Sequence, residues 1–261
     1  MGPIRAVAGA APSASGQTRL VGTPGWDAVI LAGGTSRRLR ADCTLAPGML
    51  PPGMDKTDLR LGGRTLLEHV LDGCPSAVRV AVVGRVRPVR SRLSGAAAGP
   101  VAPRGVPSTD RLRWCRESPP GAGPLAAVAA GVSALSSSPA PIVVVLGGDM
   151  PFVGGAVPHL LASLALEPEI DGAALARGDG GHHQLALAVR RTAVTAALAR
   201  IGDPAGRPLR LLLSALTVTS VTDAEDWALD VDDGVGLRAA ADRVDAAVNA
   251  AVNAAHRGNA R

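Results

Sequence analysis

D-A-V-I-L-A-G-G-T-S-R-R, at residues 27–38, is the stretch whose reading decides the fold. Residues 28–32 form a short apolar run with β-branched members, and Gly33-Gly34 end it before a polar, arginine-bearing segment. This pattern predicts a buried strand running into a backbone-exposing loop. Two adjacent glycines remove the Cβ atoms that would hold a ligand off the main-chain NH groups. Thr35, Ser36, Arg37 and Arg38 then add hydroxyl and guanidinium donors. That chemistry suits a phosphate. An isolated Gly-Gly pair is more often a tight strand-to-helix turn, so the rest of the chain has to decide between the two.

Outward from this stretch, apolar runs alternate with helical patterns. Further strands are predicted at 78–83, 114–116, 142–146, 172–176, 184–189, 218–221 and 228–231. Helices are predicted at 64–71, 125–135, 157–166, 191–200, 207–213 and from 235 onward. Such alternation argues for a single α/β domain, a mostly parallel sheet with helices on both faces. The domain is expected to span 26–240, after a flexible N-terminal leader at 1–25 and before a C-terminal helix and Ala/Asn-rich tail at 241–261. Residues 41–53, with three prolines and two glycines, read as a loop. Residues 85–113 read largely as a variable surface connection. In folds of this kind ligands bind beyond the carboxyl ends of the strands. Gly33-Gly34, Asp149 and the pair Asp230 and Asp232 all fall at such ends.

Composition narrows the function classes. The 261 residues are 47% hydrophobic, enough for one core, but only 2% aromatic, which argues against stacking platforms for nucleic acid. A net charge of +5 and a pI near 10.3 accord with phosphate-bearing partners without marking a nucleic-acid surface. Of the 27 basic residues Lys56 alone is lysine. Its compact, mobile ammonium suits charge that moves during a phosphate transfer, where arginine would clamp a fixed planar group. Cys43, Cys74 and Cys115 form no C-x-x-C pair, so reduced, inert thiols are expected. No apolar run reaches the roughly 20 residues of a membrane helix, and the cytoplasm is the simplest compartment. His182-His183 read as a turn, because adjacent strand residues point to opposite faces and would not share a metal. G-x-x-x-x-G-K-[ST], H-E-x-x-H and G-x-S-x-G are absent, and the first loop lacks G-x-G-x-x-G.

A glycine loop, one lysine and a strand-end carboxylate are what nucleotidyl transfer needs. An acceptor phosphate attacks the α-phosphate of a nucleoside triphosphate and pyrophosphate leaves, so negative charge is crowded throughout. Asp149 makes sense there by holding Mg²⁺, a hard cation that takes one or two carboxylates plus phosphate oxygens and water. Arg37, Arg38 and Lys56 supply positive charge.

Four motifs in order carry a family resemblance: L-A-G-G-T-S-R-R-L at 31–39, D-K at 55–56 followed by L-G-G-R-T-L-L-E, G-P-L-A at 123–126, and G-D-M-P-F at 148–152. Together they resemble the molybdenum cofactor guanylyltransferase family, over roughly residues 26–240. The resemblance implies a Rossmann-like fold, and GTP and a molybdopterin-type acceptor as substrates, with molybdenum-cofactor insertion or delivery proteins as partners. It implies that Leu31, Ala32, Gly33 and Gly34, with Thr35 and Ser36, bind the nucleotide, and that Arg38 and Lys56 contact its phosphates. Gly123, Pro124 and Leu125 would complete that site, and Glu117 would read the guanine. Asp149 would be the main Mg²⁺ ligand and Asp230, in L-D-V-D-D where the family has N-I-N-T, the second. Gln184-Leu185 resembles the family's Q-P-L strand without its proline.

The chain departs from the family between Arg38 and Asp55. Leu39-Arg40 replaces M-G, and an insertion of about a dozen residues follows where the family has almost no gap. That insertion either covers the nucleotide or leaves a degraded site. CTP in place of GTP, another phosphorylated acceptor, and a catalytically weak nucleotide-binding or delivery protein therefore stay open.

Overall fold

β1 (Trp26–Leu31) is buried along its whole length. Trp26, Ala28 and Ile30 feed one core and Val29 and Leu31 the other. Burial on both faces is why residues 28–32 read as a continuous apolar run and do not alternate. The computed structural model describes residues 24–34, 39, 54–91, 93, 111–176 and 185–258. After β1 come a two-residue hairpin, β2 (Arg60–Leu61) and β3 (Arg64–Thr65), then α1 (Leu66–Asp72), β4 (Val80–Val83) and β5 (Leu112–Cys115). They are followed by α2 (Pro124–Ala134), β6 (Ile142–Gly147), α3 (Val157–Leu166), β7 (Gly172–Ala176) and β8 (Ala186–Arg190). The chain continues through α4 (Arg191–Ile201), α5 (Arg210–Ser214), β9 (Val218–Thr222) and α6 (Gly234–Gly258).

Seven strands form one sheet in the order β5-β4-β1-β6-β8-β7-β9, in which β8 alone runs against its neighbours. The α/β class and the mostly parallel sheet expected from the sequence are what the structure has. α1 and α3 cover one face, and α2, α4 and α5 the other. A third apolar cluster seats α6 on the hairpin, with Leu237 and Val244 of the helix against Leu61, Leu229 and Phe152. Among the described residues no helix is long and apolar enough to cross a membrane.

Two expectations are corrected. Residues 228–231 are not a strand, because the Asp223 carboxylate accepts the Trp227 and Ala228 NH groups at 2.7 and 2.9 Å and winds the chain into a turn. Residues 64–65 pair with 60–61, and α1 begins only at Leu66, where Thr65 and Glu68 form a reciprocal cap. At the C-terminus the Ala/Asn-rich segment continues α6 unbroken to Gly258, as expected of alanine's helix propensity. Residues 1–23, 41–53 and 182–184 lie outside the described residues.

α2 packs so closely on β1 that a Cβ at Gly131 would overlap a Val29 methyl and come within 3.1 Å of a second, on Val83. Gly131→Val is expected to lower stability by about 1–3 kcal/mol through overpacking, read as a lower urea midpoint at unchanged m-value. An unchanged midpoint would mean that the helix and sheet are not in this contact.

Candidate functional site

From β1 the chain moves outward to β4 and β5, then returns to β6 on the other side of β1. This reversal of strand order opens a crevice at the carboxyl ends of β1 and β6, where ligands bind in such sheets. The Ala32 NH is spent on Val83 O at 2.9 Å, and Leu31 O accepts the Gly148 NH at 2.9 Å. Beyond these anchors Gly33 and Gly34 emerge exposed. Neither has positive φ. A Cβ on Gly34 would meet nothing within 4 Å among the described residues, and one on Gly33 only Val83 O at 3.8 Å. Among the described residues no contact requires glycine at either position.

Lys56 is presented by a 3₁₀ turn, Lys56–Asp58, capped by Asp55, whose Oδ1 accepts the Thr57 NH at 3.3 Å and hydroxyl at 3.2 Å. Arg87 locks this turn from behind. Its Nε lies 2.7 Å from Asp58 Oδ1, its Nη1 3.9 Å from Asp55 Oδ2, and its Nη2 donates to the Thr57 hydroxyl. The Lys56 ammonium then reaches the Asp149 carboxylate and, at 2.5 Å, Asp232 Oδ1. Burial pulls the pKa of Lys56 down, but the Asp149 and Asp232 carboxylates outweigh it and raise the net value, so the amine is a cation at neutral pH.

Asp149 follows the tight Gly147-Gly148 turn. A Cβ at Gly148 would stand 2.8 Å from Leu31 O, so this turn does require glycine. The Val231 NH donates to Asp149 O at 3.1 Å and joins the Asp149 loop to the loop bearing Asp230 and Asp232. Burial, then the negative charges of Asp232 and Asp149, raise the pKa of Asp230. Among the described residues no three carboxylate, imidazole or thiol groups enclose a metal by themselves.

These residues line a cleft of about 450 Å³. Of the residues singled out from the sequence, Leu31, Gly33, Gly34, Lys56, Glu117, Gly123, Pro124 and Asp149 border it. Glu117 holds its loop by accepting the Gly121 NH at 2.9 Å. Ala32 and Leu125 do not border it; both are buried in the core. Asp232 lines the cleft where the sequence favoured Asp230. Thr35, Ser36, Arg37 and Arg38 lie outside the described residues. Arg87 was missed, inside a segment read as surface connection, although its side chain is only 8% exposed.

A strand-end glycine wall facing a lysine and paired carboxylates, on this sheet order, defines a nucleotidyltransferase. The family model of the MobA-like NTP transferase domain matches residues 28–219, and the chain belongs to that family. No curated protein sequence matches it. Among solved structures it is similar to molybdopterin-guanine dinucleotide biosynthesis protein A from Archaeoglobus fulgidus, at 19% identity and TM-score 0.53, over 84% of this chain and 98% of that one. A 4-diphosphocytidyl-2C-methyl-D-erythritol synthase from Anaerococcus prevotii matches at 13% identity and TM-score 0.56, over 86% of this chain and 100% of that one. CMP:2-keto-3-deoxy-manno-octonic acid synthetase, solved with CTP, matches at 15% identity and TM-score 0.55, over 84% and 98%. At these identities the likeness establishes the fold.

Proposed function

We propose that the protein transfers GMP from GTP to the phosphate of molybdopterin. An acceptor phosphate oxygen bonds to the α-phosphorus, the bond from that phosphorus to the bridging oxygen breaks, and pyrophosphate leaves. The observation that carries this reading is that Gly33 and Gly34 line one cleft with Lys56, Asp149 and Asp232. A triphosphate laid along that wall brings its charge to the ammonium. Glu117, at the same cleft, offers a carboxylate that accepts only, and guanine presents two adjacent donors on its Watson–Crick edge.

The carboxylates fit a divalent cation. Asp149 and Asp232, from two loops, both reach one ammonium, a carboxylate pair of the kind a hard cation takes, and burial, then the charges of Asp232 and Asp149, raise the pKa of Asp230. Asp149 and Asp232 would hold Mg²⁺, with phosphate oxygens and water filling the other positions. The cation would neutralise charge on the phosphates. Lys56 would shift from the carboxylates towards the nucleotide. The acceptor would enter on the Leu185 side of the cleft, and delivery proteins for the cofactor, in the cytoplasm, would receive the product.

The test is pyrophosphate release by the purified protein with Mg²⁺, molybdopterin and each nucleoside triphosphate in turn. GTP-dependent release is expected. Preference for CTP, in whose products two of the similar structures are named, would change the donor and keep the chemistry. Binding without release under every condition would favour a delivery protein.

Gly34→Val separates the ligand explanation of the glycines from the structural one. Its unfolding midpoint should match the wild type, while KM for the nucleotide rises about tenfold or more, about 1.4 kcal/mol of binding. A destabilised variant with unchanged KM would return Gly34 to the role of a turn.

A further inference from the structure

Two loops carry the cleft carboxylates, and one side chain from outside the matched domain touches both. Arg243, on α6, stacks its guanidinium 4.2 Å from the centre of the Phe152 ring, three residues after Asp149. Phe152 is the chain's only phenylalanine. Arg243 Nη1 also donates to Asp226 O at 2.9 Å, within the turn that leads to Asp232. Asp226 has φ of 50°, the one positive value at a non-glycine among the described residues. An L-residue in that region is costly and persists only where its surroundings impose it. Here the imposing contacts are the Asp223 carboxylate on the Trp227 and Ala228 NH groups and Arg243 on the Asp226 carbonyl.

We infer that Arg243 is a positioning residue, a strut that fixes the distance between the Asp149 and Asp232 carboxylates across Lys56. The inference rests on the nucleotidyl-transfer reading of the cleft. The helix has other anchors besides Arg243. Leu237 and Val244 hold α6 against Leu61 of the hairpin and also against Leu229 and Phe152, and Asp233 caps its first turn through the Val235 and Gly236 NH groups at 3.0 and 2.8 Å. Losing Arg243 therefore leaves the helix docked and removes the polar contact that ties the two loops together, leaving each its apolar contact with α6. It makes α6 part of the working site although the family domain ends at residue 219. A direct bond between the loops, Val231 NH to Asp149 O at 3.1 Å, would remain as a hinge about which the carboxylates can splay.

The experiment uses the full chain with Arg243→Gln, Arg243→Lys and Phe152→Leu, the last removing the ring and keeping the apolar seat. Three readouts are taken: amide hydrogen exchange, Mn²⁺ binding in the presence of each nucleoside triphosphate by water-proton relaxation, and kcat and KM for pyrophosphate release. For Arg243→Gln, exchange should quicken in peptides covering 149–152 and 226–233 and not along the rest of α6. Mn²⁺ affinity and kcat should each fall about 10–100-fold, as for other groups that orient metal ligands, with nucleotide KM little changed. Arg243→Lys should recover part of the loss, and Phe152→Leu should reproduce it in the 149–152 peptide. Quickened exchange over the whole of α6 with unchanged Mn²⁺ affinity would reduce Arg243 to a tether for the helix and overturn the inference. So would unchanged exchange in both loops. If the wild type releases no pyrophosphate with any triphosphate, the transfer reading fails, and the exchange and Mn²⁺ results still decide the strut.

Discussion

Lys56→Ala is expected to lower pyrophosphate release by about 10²–10³-fold, about 2.7–4 kcal/mol of transition-state stabilisation. The size follows from placement. Lys56 is the chain's single lysine, and the capped turn and Arg87 hold it in the cleft that Gly33 and Gly34 open. Negative charge that builds on the departing pyrophosphate would meet its ammonium there. Lys56→Arg should rescue little, because a rigid guanidinium fork cannot follow moving charge as a flexible ammonium does. The same substitution has a second, separable effect. Without the cation, Asp149 and Asp232 face each other with Asp230 close behind. The unfolding midpoint of Lys56→Ala should therefore drop in chelator and recover when Mg²⁺ is added, a recovery larger than the wild type shows. Turnover within a few-fold of wild type would sink the role given to Lys56. A midpoint indifferent to Mg²⁺ would count against the carboxylates as its ligands.

The parts of this site that could be read from sequence are those carried by local pattern. β1 from Ala28 onward and β6 appear as unbroken apolar runs because both their faces are buried, and the glycines after each run mark its end. α3 has the predicted bounds because Pro158 opens it and its apolar stripe closes at Leu166. Other parts depend on partners far away in the chain. Arg87 finds Asp55, Thr57 and Asp58 about thirty positions earlier, and no periodicity encodes that meeting. Which of Asp230 and Asp232 borders the cleft was not legible for a related reason. Side chains alternate reliably on a strand, but 228–231 is a turn shaped by Asp223, Arg243 and the bond from Val231 to Asp149. In a turn the outward-facing carboxylate is set by those distant bonds. The family motifs located the lysine and Asp149 without revealing what holds either in place.

At the opposite end of the sheet from the cleft, Arg191→Met is expected to cost about 3–5 kcal/mol, the loss that follows when a buried charge keeps its desolvation and loses its partner. Asp27, on β1, is fully buried. It accepts the Arg79 NH at 2.9 Å and pairs with Arg191. Arg191 also donates to Ala140 O at 2.6 Å and Leu135 O at 3.2 Å, so it joins β1, the end of α2 and the approach to β6. Burial raises the pKa of Asp27 above 3.8, against the opposing pull of Ser138 and Arg191. The fold thus holds the Asp27 proton more tightly than the unfolded chain does, and stability declines as pH rises from the unfolded value through the folded one. Removing Arg191 takes away one of the pulls that keep the folded pKa down. In Arg191→Met that decline should extend to higher pH, with the deficit largest near neutrality and smaller in acid. Urea unfolding at about pH 4.5 and about pH 7.5 reads the difference. Asp27→Leu added to Arg191→Met should restore much of the lost stability and abolish its pH dependence, since an apolar pair of similar volume leaves no charge to desolvate. Equal losses at both pH values, or a double variant weaker than Arg191→Met alone, would show that Arg191 acts through its carbonyl bonds and not through the charge on Asp27.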